Sequence, residues 1–471
     1  MCEFNIILCR DANNTIDISW DIEDDIQYFK KMTIENIIIM GRKTADTLIK
    51  PLKNRINIIL TKNQNYRNDE GFISFTNLEK ALEYSQQLNK KIFIIGGLAL
   101  FDEAIKNNKC RNIYINTINK KYENNNLFLS NKFLDELKIY TLNSQENIYS
   151  YCNNLKENVN INISHYIYKN HEEIQYLNLL NKIITQGELR ETRNAKTYSL
   201  FGEKIVFDLQ NGFPLLTTKK MFLRGIIEEL LFFLKGETNT KILEEKGVNI
   251  WKGNTSKEFL KNNNKEYLNE GEMGPMYGYQ WRNFNLDYKN KNNVSIDQLD
   301  LLIKNIVDDP NSRRLLITSY NPSQAEEGVL YPCHGLITQF YVKNNKISLQ
   351  TYQRSSDSFL GLPFNIASYA LLLHIIVNLV NNNKNRKHKE DYNVGEVITI
   401  LGDTHIYSDE KADHLSVVKQ QISLMEKTYK FPKLNFNVKL QELNDLEKLK
   451  VSDFVITDYT CHPPLKAQMV E

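Results

Sequence analysis

Cysteine is sparse and unpaired in this chain. Its six positions (Cys2, Cys9, Cys110, Cys152, Cys333 and Cys461) show no C-x-x-C spacing, so neither a zinc site nor a disulfide framework is expected and no metal is assigned. Charge of one sign is also lacking. Lys and Arg number 59 against 57 Asp and Glu, and without a basic arm or tail no specific nucleic-acid partner is expected; any anion site must be local. Long apolar runs are missing too. The most apolar stretch, residues 370–380, is interrupted by His374 and Asn378 and falls short of the about 18 residues that a membrane span needs. Met1-Cys2-Glu3-Phe4 does not open a secretory signal. The expectation is a soluble, cytoplasmic protein without a membrane partner.

What is present is a globular composition, 41% hydrophobic and 25% charged, in a chain of 471 residues, too long for one ordinary core and long enough for two domains. Asn- and Lys-crowded stretches at 124–126, 262–264 and 381–389 read as solvated loops. Up to about residue 168, strand-like runs at 5–9, 37–40, 56–60, 92–95, 113–118 and 163–168 alternate with helical patterns such as 25–32 and 78–88. That order predicts an α/β domain, its mainly parallel sheet flanked by helices. Asn170-His171-Glu172-Glu173 opens a new helix, which places the boundary between domains 1–169 and 170–471.

In the second domain, a helix is expected from a Thr217-Thr218 cap to Gly236, with Leu223, Ile226, Ile227, Leu230, Leu231 and Leu234 on one stripe. Glu229 lies off that stripe among apolar neighbours, an expensive place for a carboxylate unless it is used or paired. A second helix, 366–380, is apolar all round and is expected to be buried.

The segment Leu330-Tyr331-Pro332-Cys333-His334-Gly335 sets a cysteine beside a histidine. Such a pair is more often structural than catalytic, but its surroundings change the reading. Downstream stand Tyr352-Gln353-Arg354-Ser355-Ser356-Asp357, Gly361-Leu362-Pro363-Phe364-Asn365 and Gly402-Asp403-Thr404-His405-Ile406-Tyr407; upstream stand Phe213-Pro214-Leu215-Leu216-Thr217-Thr218-Lys219, Gly274-Pro275-Met276-Tyr277-Gly278 and Gln280-Trp281-Arg282. Together these resemble thymidylate synthase, over nearly everything from Tyr176 onward. The resemblance implies an α+β fold and a homodimer, with Cys333 attacking C6 of dUMP so that C5 takes a methylene group from 5,10-methylenetetrahydrofolate. It implies a phosphate held by Arg193, Arg354 and Ser355 with Arg313 and Arg314 from the partner copy, and further dUMP ligands at His334, Gln353, Asp357, Asn365, His405 and Tyr407. Trp251, Gly361 and Lys219 fall on the folate side, and Glu229 and Tyr277 at positions that manage protons. The residue types suit the chemistry. A thiolate is the nucleophile, and Arg354 is expected to lower the thiol pKa. The Asn365 amide matches the N3 hydrogen and O4 of uracil, whereas cytosine has the opposite polarity.

In the first domain, Ile38-Ile39-Met40-Gly41-Arg42-Lys43-Thr44 and Ile92-Phe93-Ile94-Ile95-Gly96-Gly97 each run a strand into a turn suited to phosphate. Taken singly, each is as well read as an ordinary tight turn. With Trp20, Asp25-Ile26-Gln27-Tyr28-Phe29 and Pro51-Leu52-Lys53-Asn54-Arg55-Ile56-Asn57 they resemble dihydrofolate reductase over residues 4–168. This implies Asp25 as the carboxylate that pairs with the pterin, and Trp20, Phe29 and Arg55 as folate ligands. Gly41, Arg42, Lys43, Thr44, Thr61, Lys62, Gly96 and Gly97 would hold NADPH. Against that pattern, residues 10–18 contain no glycine, Leu8 stands at a small-residue position beside the nicotinamide, and Asn116 replaces a threonine behind Asp25. Two readings follow: dTMP synthesis coupled to NADPH-dependent reduction of the dihydrofolate formed, or an active synthase behind a reductase-like domain that only binds or braces.

Overall fold

The computed structural model of the chain describes residues 3–16, 21–63, 66, 70–121, 127–192, 195–291, 294–387, 390–409 and 412–469. The chain forms two compact units, Met1–Lys169 and Asn170–Glu471.

The first unit is built in the order β1 (Phe4–Asp11), α1 (Glu23–Thr33), β2 (Ile37–Gly41), α2 (Arg42–Asp46), β3 (Ile56–Leu60), β4 (Ile73–Phe75), α3 (Leu78–Gln86), β5 (Ile92–Gly96), α4 (Leu98–Lys106), β6 (Cys110–Ile118), α5 (Asn131–Leu137), β7 (Tyr140–Cys152) and β8 (Glu157–Tyr168). Its sheet runs β4-β3-β2-β5-β1-β6-β8-β7. The strands are parallel as far as β6, and β8 and β7 close the far edge antiparallel. The parallel strands are nearly continuous apolar runs because both faces are covered. Ile6, Leu8, Ile37, Ile39 and Ile58 fill a core on one side, and Ile7, Ile38, Met40, Ile59 and Phe93 one on the other.

The second unit begins with α6 (His171–Gln186), β9 (Glu188–Glu191), β10 (Lys196–Asp208) and α7 (Leu223–Leu234), followed by short helices α8 (Lys241–Glu245), α9 (Lys257–Asn262) and α10 (Gly278–Asn283), then α11 (Gln298–Asp308). It continues through β11 (Leu316–Thr318), β12 (Ile337–Lys343), β13 (Lys346–Asp357), α12 (Gly361–Asn382), β14 (Asn393–Asp409), β15 (Ala412–Asp413), α13 (Leu415–Ile422), β16 (Lys433–Phe436) and β17 (Phe454–Thr457). The main sheet, β11-β12-β13-β14-β10-β9, packs one face on α12 and α6, and α7 packs in turn on α12. α12 is longer than its apolar pattern suggests and is long and apolar enough to cross a membrane, yet most of its side chains from Ile366 to Val380 are core residues of this unit.

One helix boundary differs from expectation. α7 starts at Leu223, and Thr217 and Thr218 do not cap it. Both threonines instead donate, through hydroxyls and backbone N–H groups, to the buried carboxylate of Glu173 on α6 at 2.5–3.0 Å. A buried carboxylate needs several donors, and that demand outweighs a local capping preference.

Candidate active sites

Cys333 lies in the loop between β11 and β12, and its Sγ is 3.3 Å from the Tyr277 hydroxyl. Tyr277 precedes α10 with φ of 42°, a conformation costly for an aromatic residue and one that persists only where its surroundings hold it. Here they do: its ring stacks on His334 at 4.4 Å and packs against Phe233 and Trp251. Gly335 has φ of 61°, and a Cβ there would collide with the Tyr369 hydroxyl, which itself lies 3.3 Å from His334 Nδ1. Burial pushes His334 down to about 4, so its ring is neutral at pH 7.

Burial also raises the Cys333 thiol above its usual range, while the Tyr277 hydrogen bond and the charge of Arg354 pull it back. The expected net lowering by Arg354 is therefore not what the site produces: desolvation of the anion is the larger effect. Arg354, at the end of β13, donates to the carbonyls of Pro332 and Tyr331, so it shapes the Cys333 loop as well as placing a positive charge beside it.

Glu229, on α7, accepts from Trp251 Nε1 at 2.8 Å. Burial raises its carboxyl to about 7, with the tryptophan bond opposing. On α12, Asn365 Nδ2 donates to Gln353 Oε1 at 3.2 Å, which leaves its carbonyl and second N–H for a ligand. His405 and Asp403 share a 2.9 Å contact through Nδ1, so that Nε2 is available as an acceptor beside Tyr407. Asp357 takes the N–H groups of Phe359 and Leu360 at 2.9 and 3.0 Å, fixing the start of α12.

In the first unit, Asp25 on α1 faces β6, where Asn116 Nδ2 donates to it at 2.6 Å. Burial raises its pKa; the bonds from Asn116 and from the Cys9 thiol oppose that rise. Arg55 donates to Thr33 Oγ1 at 2.8 Å and lies over the Phe29 ring. The two glycine turns converge because β2 and β5 are neighbours, with Met40 opposite Gly96. Gly96 has φ of 140°, and a Cβ there would crowd Thr44 Oγ1 at 3.2 Å. Thr61 and Lys62 follow β3, next in the sheet. Three carboxyl ends of parallel strands thus line up, the usual place for a ligand in such a sheet.

A family model for thymidylate synthase matches residues 174–471, and one for dihydrofolate reductase matches residues 3–168. The bifunctional dihydrofolate reductase-thymidylate synthase of Paramecium tetraurelia is 36% identical, covering 99% of this chain and 98% of its own length. That of Zea mays is 32% identical, covering 96% and 93%, and that of Plasmodium berghei is 34% identical, covering 93% and 83%.

The chain belongs to the bifunctional dihydrofolate reductase-thymidylate synthase family. It is an enzyme with a thymidylate synthase unit, which makes dTMP from dUMP, and a dihydrofolate reductase unit in front of it.

Within the synthase unit, Cys333, Tyr277, His334, Trp251 and Glu229 are joined by direct contacts. Arg313 and Arg314 are exposed in the turn before β11, and no described contact of theirs reaches Cys333. Arg193, Trp20 and the chain's final residue Glu471 lie outside the described residues. Lys219 is buried rather than presented to a ligand: its ammonium donates to the Phe359 carbonyl and sits 3.8 Å from that ring's centre, and burial lowers it to about 7.

In the reductase unit, Leu8 belongs to the core and does not face the cleft. Alternation along β1 turns Cys9 that way, in register with Asn116. Sequence reasoning missed Cys9 by one position. The signal was available in strand parity, since Leu8 shares its face with the core residues Phe4 and Ile6. The glycine-free segment after β1 is closed by Asp11, whose carboxylate accepts from Asn13 and Thr15 N–H groups at 2.8 and 2.7 Å. Asn14, at φ of 64°, takes the left-handed position there.

Proposed function

We propose that Cys333 is the nucleophile of the synthase unit. Its sulfur bonds to C6 of dUMP, the C5–C6 π electrons pass to O4, and Asn365 donates to that oxygen while accepting from N3–H. C5 then bonds to the methylene carbon of 5,10-methylenetetrahydrofolate. Loss of the C5 proton, cleavage of the carbon–nitrogen bond and hydride transfer from the folate give the methyl group, and departure of Cys333 releases dTMP and dihydrofolate. Glu229, poised near neutrality and aimed by Trp251, is suited to move protons through water in these steps. Arg354 and Ser355 hold the phosphate with Arg193, His405 and Tyr407 hold the ribose, and Trp251 and Gly361 flank the folate.

The observation that carries this reading is the Cys333 thiol 3.3 Å from the Tyr277 hydroxyl, in a loop tied to Arg354. Cys333→Ser should abolish tritium release from dUMP labelled at C5 while the far-ultraviolet circular dichroism is unchanged; undiminished release would overturn the assignment.

We also propose that the reductase unit reduces dihydrofolate with NADPH. The three strand ends and the Gly96 cradle fit a dinucleotide, with Gly41, Arg42, Lys43, Thr44, Thr61, Lys62, Gly96 and Gly97 holding it. NADPH supplies the hydride when bound. Asp25, braced by Asn116, pairs with the pterin's amino group and ring nitrogen, and Phe29 and Arg55 receive the remainder of the folate. Asp25→Asn should remove dihydrofolate-dependent NADPH oxidation. Absence of that oxidation in the unaltered enzyme would favour the unit that only binds or braces.

A homodimer through the synthase unit is the third part of the proposal. On β11 to β13, Leu316, Ile337, Tyr341 and Tyr352 form an exposed apolar face opposite the helices. Such a face is suited to a second copy, which would bring Arg313 and Arg314 to the phosphate.

A further inference from the structure

His414, the residue that leads into α13, is wholly buried. Its backbone N–H donates to the Tyr407 carbonyl at 3.1 Å. Its ring lies edge-on to Tyr407 at 5.4 Å and tilted against Phe359 at 5.7 Å. Nε2 is 2.8 Å from the backbone carbonyl of Gln468, and because a carbonyl only accepts, the ring carries a proton on Nε2. Among the described residues, Nδ1 is buried without a hydrogen-bond partner, 4.0 Å from Asp357 Oδ1.

The segment that Gln468 belongs to is thinly held. His462 N–H still donates to the Thr217 carbonyl at 2.8 Å, but Pro463 and Pro464 have no N–H to give. Leu465 and Ala467 pack on the core from its edge. Among the described residues, the His414 contact is the only hydrogen bond that reaches residues 463–469. A segment fixed by two small apolar contacts and one buried hydrogen bond takes its position from that bond. Asp357 and Phe359 lie four and two positions before Gly361, so the anchor lies where the folate side of the pocket meets the nucleotide strand β14.

We propose that His414 is a positioning residue for the folate co-substrate: through one Nε2–H bond to Gln468 it ties residues 463–469 to a ring that is itself held between Phe359 and Tyr407. The assignment rests on the synthase reading above. Glutamine preserves a donor at about the reach of Nε2, whereas asparagine places its amide near Nδ1 and cannot reach Gln468, so the two variants separate the bond from mere filling of space. In the full-length enzyme, His414→Asn should speed amide exchange in residues 465–469 and raise KM for methylenetetrahydrofolate about tenfold, with Kd for dUMP changed less than about twofold. His414→Gln should restore both. Unchanged exchange in His414→Asn would sink the anchoring role. Faster exchange with an unchanged folate KM would sink the positioning role, as would equal impairment of both variants. Failure of the unaltered enzyme to make dTMP would count against the synthase reading instead, and the exchange measurement would still decide whether His414 holds the segment.

Discussion

Glu229 is a carboxyl group that burial holds near neutrality, at about 7, and this has a consequence for stability as well as catalysis. A folded pKa above the unfolded one means that the folded state binds the proton more tightly, so stability present below pH about 4.5 is lost as pH rises through about 7. Two and a half pH units correspond to at most about 3.4 kcal/mol, discounted because Glu229 is partly open to solvent. Glu229→Gln should therefore raise the Tm of the synthase transition at pH 8 and leave it nearly unchanged at pH 4.5, while lowering kcat for dTMP by about a hundredfold or more; scanning calorimetry across pH and steady-state assays check the two halves. Asn365→Asp replaces an amide by an acceptor-only group. dUMP turnover should fall by about a hundredfold and dCMP should gain as a substrate, because cytosine offers the donor that uracil lacks. Competition between the two nucleotides measures the shift.

At the scale of elements, the Cys333 loop is held by contacts that leave little room. Gly335 combines a left-handed backbone with a close approach to Tyr369 on α12, so Gly335→Ala should cost more than about 1 kcal/mol, shift His334, and reduce dTMP formation while dihydrofolate reduction continues. The clamp between α6 and the segment before α7 is of the same kind. Four donor groups of Thr217 and Thr218 converge on Glu173. In Glu173→Gln an amide N–H would face those donors, and the synthase unit should lose about 2–3 kcal/mol, measurable as a lowered Tm of its transition.

For the whole molecule, the exposed face of β11 to β13 sets the expectation. Ile337→Asp combined with Tyr341→Asp places charge in an apolar contact area, which should halve the mass found by sedimentation velocity and remove dTMP formation, since Arg313 and Arg314 would no longer reach a phosphate. NADPH oxidation with dihydrofolate should persist. A stable dimer with full synthase activity would show that this face is not the interface.

The strands of the reductase unit and the new helix that follows Asn170 were legible in the sequence because they depend on local order: apolar runs of strand length and helix-opening residues. The parity of Leu8 and Cys9 was not, because a one-residue shift turns every side chain on a strand to the other face. Nor were the inward turn of Lys219, the use of Thr217 and Thr218 by Glu173 from 44 residues away, or the raised thiol of Cys333. Each of these is decided by burial among groups distant in sequence, and desolvation depends on what the fold packs around a group rather than on its neighbours in the chain. The sequence by itself determined which chemical groups this enzyme possesses and roughly where its two units divide; only the tertiary structure decided which of those groups are paired, which are charged and which segment His414 holds.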